Sequence, residues 1–291
     1  MIAKIDQLTV RPVTEQDLQR LANLVHFETH IHRHLDWRAP LDWVGHEPYL
    51  VIEHGEELLA ALACPPDPPG IAWIRLFAVS SEFSIATAWD ELWEAVREHL
   101  FNQEQPVEVA AIPLHVWFRK LLEKSSFVRT NLVIVLSWKR ASMPPASDVS
   151  ERVIRPMELA DIEAVESVDK TAFGLVWQNS LQSLEIAFRQ AAVATVAEFK
   201  GAIIGYSIST ATPIGGHLAR LAVKPEYQGK GTGYALLHDL LMQFQRRGAQ
   251  NVTVNTQEDN LSSLALYRKA GFHRTSEEYP VYQFVADKAL R

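Results

Sequence analysis

Cysteine is nearly missing from this chain: Cys64 stands alone, which excludes an internal disulfide and suits a reducing cytoplasm. Long apolar runs are missing too. No stretch approaches the ~20 residues that span a bilayer, and the opening Met-Ile-Ala-Lys-Ile-Asp lacks the apolar centre of a secretion signal. Basic excess is also absent, because 28 Lys and Arg face 35 Asp and Glu for a net charge of −7. That balance argues against a broad nucleic-acid or anionic-membrane surface. What is present is a 291-residue chain, 47% hydrophobic and 22% charged, long enough for two globular domains.

The chain repeats itself at an offset of 144 residues. Arg11-Pro12 recurs as Arg155-Pro156 and Asp17 as Asp161, while Leu18, Leu21 and Leu24 recur as Ile162, Val165 and Val168. Phe77-Ala78-Val79 recurs as Leu221-Ala222-Val223. After a shift of one residue, Phe127, Arg129 and Thr130 recur as Phe272, Arg274 and Thr275. Between the copies, Pro144, Pro145 and small polar neighbours read as a linker. The expected division is therefore a first copy over 1–142, a linker over 143–151 and a second copy over 152–291. Seven of the eight tryptophans precede the linker, and a Trp-heavy core explains them better than an aromatic ligand cage.

In the second copy, periodicity predicts strands near 153–155, 193–199, 202–210, 217–223 and 252–254. Helices are predicted near 231–247, with Leu236, Leu237, Leu240, Leu241 and Phe244 on one side and Gly248 as the stop, and over 261–269. A mixed α/β sheet with helices on its faces is the implied architecture. Gln228-Gly229-Lys230-Gly231-Thr232-Gly233, followed by Tyr234, lies between a strand and the long helix. Backbone N–H groups there can converge on an anion, favoured by the helix dipole. Glycine keeps Cβ atoms out of the way, and pyrophosphate is the natural guess. The loop is no P-loop, since Lys230 is followed by Gly and no Gly lies five residues before Gly229. Five residues separate it from the strand, which fits a dinucleotide fingerprint poorly.

With these residues the second half resembles the Gcn5-related N-acetyltransferase superfamily. Gln228, Gly231 and Gly233 fill its Q/R-x-x-G-x-G/A loop after the strand ending Leu221-Ala222-Val223. Asn260 and Ala265-Leu266-Tyr267-Arg268-Lys269-Ala270-Gly271-Phe272 fill its second signature. The resemblance is strong over 153–286 and only architectural before that. It implies two copies of an acyl-CoA N-acyltransferase fold, with acetyl-CoA as donor and a primary amine attacking directly in a ternary complex. It also implies main-chain binding of the acetyl carbonyl by Leu221, Ala222 and Val223, a cradle over 228–234, and Asn260 touching the cofactor unless it is only a helix cap. Tyr267 is implied to protonate the departing thiolate, against the alternative of a core aromatic. His217, four residues before Leu221, is the candidate base, though it also fits a solvated histidine after the Gly215-Gly216 turn. Relatives acting on ribosomal-protein N-termini carry Glu where this chain has Asn255, which departs from that specificity.

At the repeat register the first copy has Ser84, Thr87 and Trp89 for the three loop residues, so Trp89 is expected to obstruct a pyrophosphate. Phe118 or Leu122 stands for Tyr267. The first copy is therefore expected to be catalytically silent. His26, Glu28, His30 and His34 invite a metal if they share a helix face, but the order His26-Phe27-Glu28-Thr29-His30 is not H-E-x-x-H, no further ligand is evident, and no metal is expected. Trp37, Arg38 and Trp43 are candidate cleft-lining residues. A non-catalytic acyl-CoA sensor is the competing function, and a monomer or homodimer is equally compatible.

Overall fold

The computed structural model describes residues 8–102, 106–139, 145, 152–213 and 215–284. They form two compact units. One holds the described residues up to Thr130 with those from Val281 onward, and the other runs from Asn131 to Pro280. This division differs from the repeat boundaries because each copy's last strand pairs outside its own copy. The expected linker lies outside the described residues except for Pro145.

The first unit contains β1 (Thr9–Pro12), α1 (Leu18–Phe27), β2 (His30–Arg33), β3 (Tyr49–His54), β4 (Glu57–Ala63), β5 (Ile71–Trp73), β6 (Leu76–Val79), α2 (Ile85–Phe101), β7 (Glu108–Ala111), α3 (Val116–Lys124) and the start of β8 (Phe127–Lys139). An antiparallel sheet runs in the order β1-β3-β4-β6-β2. β5 lies parallel to β7, which also pairs with Tyr282–Phe284. Because strand side chains alternate, Ala60 and Leu62 of β4 face one core with Trp89, Trp93 and Phe118. Ala61 and Ala63 face another with Leu21, Val25 and Trp43, joined by Leu58, which the β-bulge at Leu59 turns to that side. The tryptophans of α2 are thus packing residues.

The second unit adds to β8 the elements β9 (Arg152–Pro156), α4 (Ile162–Ala172), α5 (Leu181–Gln190), β10 (Val193–Phe199), β11 (Ala202–Ala211), β12 (Gly215–Val223), α6 (Thr232–Arg246), β13 (Asn251–Gln257), α7 (Leu261–Lys269) and β14 (His273–Phe284). Its strand order is β14-β8-β13-β12-β11-β10-β9, and β12 with β13 is a parallel pair. Val133–Lys139 of the first copy's last strand pair with β13, which is why they belong to this unit. α6 buries Leu236, Leu237, Leu240, Leu241 and Phe244 and stops at Gly248, whose φ of +81° favours glycine.

The duplication is visible in the ion pairs. Arg11 donates to both oxygens of Asp17 at 2.7 and 2.9 Å and also meets Glu53. Arg155 does the same to Asp161 at 2.7 and 2.9 Å and also meets Glu198. In each copy the guanidinium holds the Asp carboxyl below its ordinary range.

Candidate active site

One strand edge organises the site. β12 pairs with β11 along its length, but Ile208 faces Arg220 and Ser209 faces Leu218, so Ala219 is the extra residue of a β-bulge. On its other side β13 reaches only Gly215 to Leu218. Among the described residues no strand covers that side of Ala219–Val223. Alternate peptide groups over Leu221, Ala222 and Val223 are left to pair with something extended.

Beyond Val223 the chain turns through Lys224–Tyr227 to Gln228, whose Nε2 donates to Val223 O at 2.9 Å and ties the loop to the strand. Gly229 and Gly231 have φ of +70° and +86°, and nothing lies within 4 Å of where a Cβ of Gly229 would stand. Other residues adopt this left-handed backbone only at a cost. Gly231 caps α6 without a side chain, so the first-turn amides are not taken up by a side-chain cap. Gly233 has only ordinary contacts near its Cβ position. Positive-φ glycines, open space and a helix N-terminus together fit a diphosphate. The side chains of Lys230, Thr232 and Tyr234 are turned to the protein, which leaves their main chain as the part that faces this opening. Lys230 Nζ donates to Glu226 O at 2.7 Å, Thr232 is buried, and Tyr234 turns inward to donate to Pro145 O at 3.0 Å. Arg152 donates to Lys230 O and braces the loop from β9.

Tyr267 on α7 is 5% exposed and packs against Phe272. Burial pushes its phenol well above the usual range, so it keeps its proton at neutral pH. Asn260 is the N-cap of α7, accepting from Ser263 N at 3.1 Å and Ser262 Oγ at 3.0 Å. His217 lies opposite Thr253 in the β12–β13 ladder, with Nδ1 2.9 Å from Thr253 Oγ1. Burial lowers its pKa below the ordinary value, which keeps the ring neutral.

A further group was not singled out by sequence reasoning. Arg220, next to the bulge, donates to Asp169 Oδ2 through Nε at 2.8 Å, and its Nη2 lies 2.6 Å from the same oxygen as an ion pair. Tyr206 Oη donates to the same carboxylate. The detectable signal was Asp169 itself, a charge next to Val168 on the apolar stripe of α4, where the first copy has Val25.

In the first unit the corresponding edge is closed. His30–Arg33 of β2 pair with Val79–Leu76 of β6, and His34 N continues the ladder to Arg75 O at 2.9 Å. His32 is fully buried, stacked on Phe118 with ring centres 4.1 Å apart. The connection to α2 is also shorter. Val79 matches Val223, yet α2 is capped by Ser84 and α6 by Gly231, so the first loop lacks three residues. Ser84 Oγ accepts from Thr87 N at 3.3 Å, occupying a first-turn amide. The ungapped register therefore misplaces Trp89: it lies inside α2, 1% exposed, and obstructs nothing in the loop. Lys124 and Lys269 close the matching helices α3 and α7, so Leu122 is the residue standing for Tyr267. His26, Glu28, His30 and His34 do not share a helix face, because α1 ends at Phe27, His30 opens β2 and His34 lies just past its end. Arg38 and Trp43, at 6% and 1% exposure, are core residues of this unit and not cleft lining.

The two-copy arrangement and the bulged strand with its open edge define a tandem fold of acyl-CoA N-acyltransferase type. Residues 162–272 match the acetyltransferase (GNAT) family, and the architecture of the chain is a two-copy GNAT fold with a divergent first copy. It is similar to N-alpha-acetyltransferase 30 of Schizosaccharomyces pombe, 33% identical over 85 residues, which is 29% of this chain and 57% of the relative. An uncharacterized N-acetyltransferase of Methanocaldococcus jannaschii is 29% identical over 139 residues, covering 47% of this chain and 88% of the relative. A tandem GNAT protein from the clavulanic acid biosynthesis pathway superposes with a TM-score of 0.61 at 15% identity, over 97% of this chain and 100% of that one. At that identity the likeness bears on fold. Among the described residues no helix is long and apolar enough to cross a membrane.

Proposed function

We propose that this chain transfers the acetyl group of acetyl-CoA to a primary amine, on a small molecule or a peptide N-terminus, by direct attack in a ternary complex. The chemistry lies in the copy over 152–291, and the copy over 1–142 is silent. The observation that carries the reading is the continuous path from the open edge at Ala219–Val223 through Gln228 to the positive-φ glycines at the head of α6. Acetyl-CoA supplies the activated thioester. The amides of Gly229 to Tyr234 hold its diphosphate, and main-chain N–H groups among Leu221, Ala222 and Val223 hold the acetyl oxygen as it gains negative charge. His217, kept neutral by burial, accepts the proton that the amine loses when its nitrogen bonds to the acetyl carbon. Tyr267 donates its proton to the sulfur as the carbon–sulfur bond breaks, and solvent restores it. Asn260 caps α7 and so fixes where Tyr267 stands. No metal takes part in these steps, and Cys64, with its thiol pushed up to about 12 by burial, suits a reducing cytoplasm without being a nucleophile.

The S. pombe relative's name gives N-alpha acetylation, which supports an α-amine acceptor. An α-amine of pKa near 8 also asks less of a base than a lysine near 10.4. The test is release of free thiol from acetyl-CoA with three amines. These are a hexapeptide with a free N-terminal alanine, the same peptide N-terminally blocked with an internal lysine, and 2-phenylethylamine. Turnover lost in Tyr267→Phe with acetyl-CoA binding retained supports the enzyme. A wild-type protein that binds acetyl-CoA and acetylates none of them supports the sensor.

A further inference from the structure

The segment 173–180, between α4 and α5, is held by side chains from α4 and β12 and by a bond within its own turn. Arg220 Nη2 donates to Trp177 O at 2.5 Å, and its guanidinium carbon lies 3.8 Å from the centre of the Phe173 ring. Asp169 Oδ1 accepts from Asn179 N at 2.9 Å, while its Oδ2 takes Arg220 and the Tyr206 hydroxyl. Gln178 Nε2 closes the turn onto Phe173 O at 2.9 Å. One carboxylate and one guanidinium thus fasten this segment to β12 at the residue after the bulge, where the open edge begins.

The first unit supplies a control. Ladder register places Ala61 where Tyr206 stands, since each faces the alanine of its Phe/Leu-Ala-Val strand, and places Leu76 at Arg220. Helix alignment places Val25 at Asp169. All three are buried and apolar, at 0, 0 and 1% exposure, so this fold forms without the network. Taking an Asp–Arg pair out of water gains little stability over apolar packing, so stability alone does not account for it. The two units part ways at the C-terminal end of the matching helices. After α1 the chain runs directly into β2 and seals the edge of β6. After α4 it is fastened to Asp169 and Arg220 and stays off the edge of β12.

We propose that Asp169, Tyr206 and Arg220 are positioning residues that hold 173–180 away from the β12 edge as the acceptor-side wall of the site. This rests on the acetyltransferase reading. The wall, Phe173 to Ser180, contains no charged residue, so it meets the acceptor through apolar and amide contacts beside the reacting amine.

The experiment uses the full chain. The variant Asp169→Leu/Tyr206→Phe/Arg220→Met removes every charge and hydrogen bond of the network together, leaving no lone buried ion. Arg220→Lys is the milder companion, keeping a cation for Asp169 but losing the flat stack on Phe173 and the fork to Trp177. The readouts are hydrogen exchange of the 173–180 amides, affinity for acetyl-CoA, and KM for the fastest amine of the panel. The expected result is amide exchange in 173–180 and an amine KM both raised roughly tenfold or more, with acetyl-CoA affinity within about twofold of wild type. Unchanged exchange and amine KM in a folded triple variant overturn the proposal. If the triple variant fails to fold, Arg220→Lys must show the same split at smaller size, and its absence overturns the proposal. A wild-type protein that acetylates none of the amines defeats the acetyltransferase reading, whereas exchange in 173–180 still decides whether the network holds the segment.

Discussion

β6 and β12 occupy the same place in two copies of one fold, yet one edge is sealed and the other open. In the first unit β2 supplies the pairing, a three-residue-shorter loop removes the glycines, and Ser84 takes up a first-turn amide. In the second unit the bulge at Ala219, the glycines at positive φ and the fastened 173–180 segment leave backbone groups to a ligand. The lesson is that an edge and loop left open in one copy can be closed in the other through the main chain, with little change in the strand's own side chains. Phe77-Ala78-Val79 still resembles Leu221-Ala222-Val223, but its hydrogen bonds are already made.

Substitutions test how complete this division of labour is. Tyr267→Phe is expected to lower kcat by ~10²–10⁴-fold while acetyl-CoA binding persists, and Leu122→Tyr in the first unit to restore nothing. Thiol release measures both, and a near-normal rate in Tyr267→Phe would remove that residue from the chemistry. His217→Gln is expected to lower kcat/KM for the amine by ~10²-fold. In the wild type the rate should fall as pH drops through a pKa below 6.5, because protonated His217 cannot accept, and this limb should vanish in the variant. An acid limb that survives His217→Gln belongs to another group.

Acid should also discriminate between the units. Burial lowers the pKa of His32 from 6.5 to about 4, so the unfolded chain takes up a proton that the folded one refuses. The stability this gives the first unit is whole above pH 6.5 and is lost as pH falls towards 4, by about 3 kcal/mol at ~1.4 kcal/mol per pH unit. Denaturant melts of wild type and His32→Phe across this range measure it, and parallel curves would contradict it. The smallest effect concerns the cap: Ser84→Ala should cost about 1 kcal/mol of stability and leave acetyl transfer unchanged. A change in turnover would show that the first unit's loop reaches the chemistry.

Much of the second unit is legible locally. Apolar spacing marks α6, Gly248 and Gly271 mark the ends of α6 and α7, and the glycines after a strand mark the left-handed loop at the head of α6. The duplication is legible through Arg11 and Arg155 with their aspartates. What stays hidden depends on distant pairing. Nothing near His30–Arg33 says that it adds to β6, and nothing near Val133–Lys139 says that it pairs with β13. The missing three residues are invisible to an ungapped register, which is how Trp89 came to stand in for a loop residue. The Asp169 network escapes because its members lie on α4, β11 and β12 and meet only when the sheet has formed.

Titration calorimetry of the full chain with acetyl-CoA tests the central claim most directly. One molecule is expected to bind per chain, with affinity weakened roughly tenfold or more in Gly231→Val, since a β-branched residue resists a φ of +86°. Two sites per chain, or binding untouched in a folded Gly231→Val, would contradict the assignment of acetyl-CoA to the loop of the second unit.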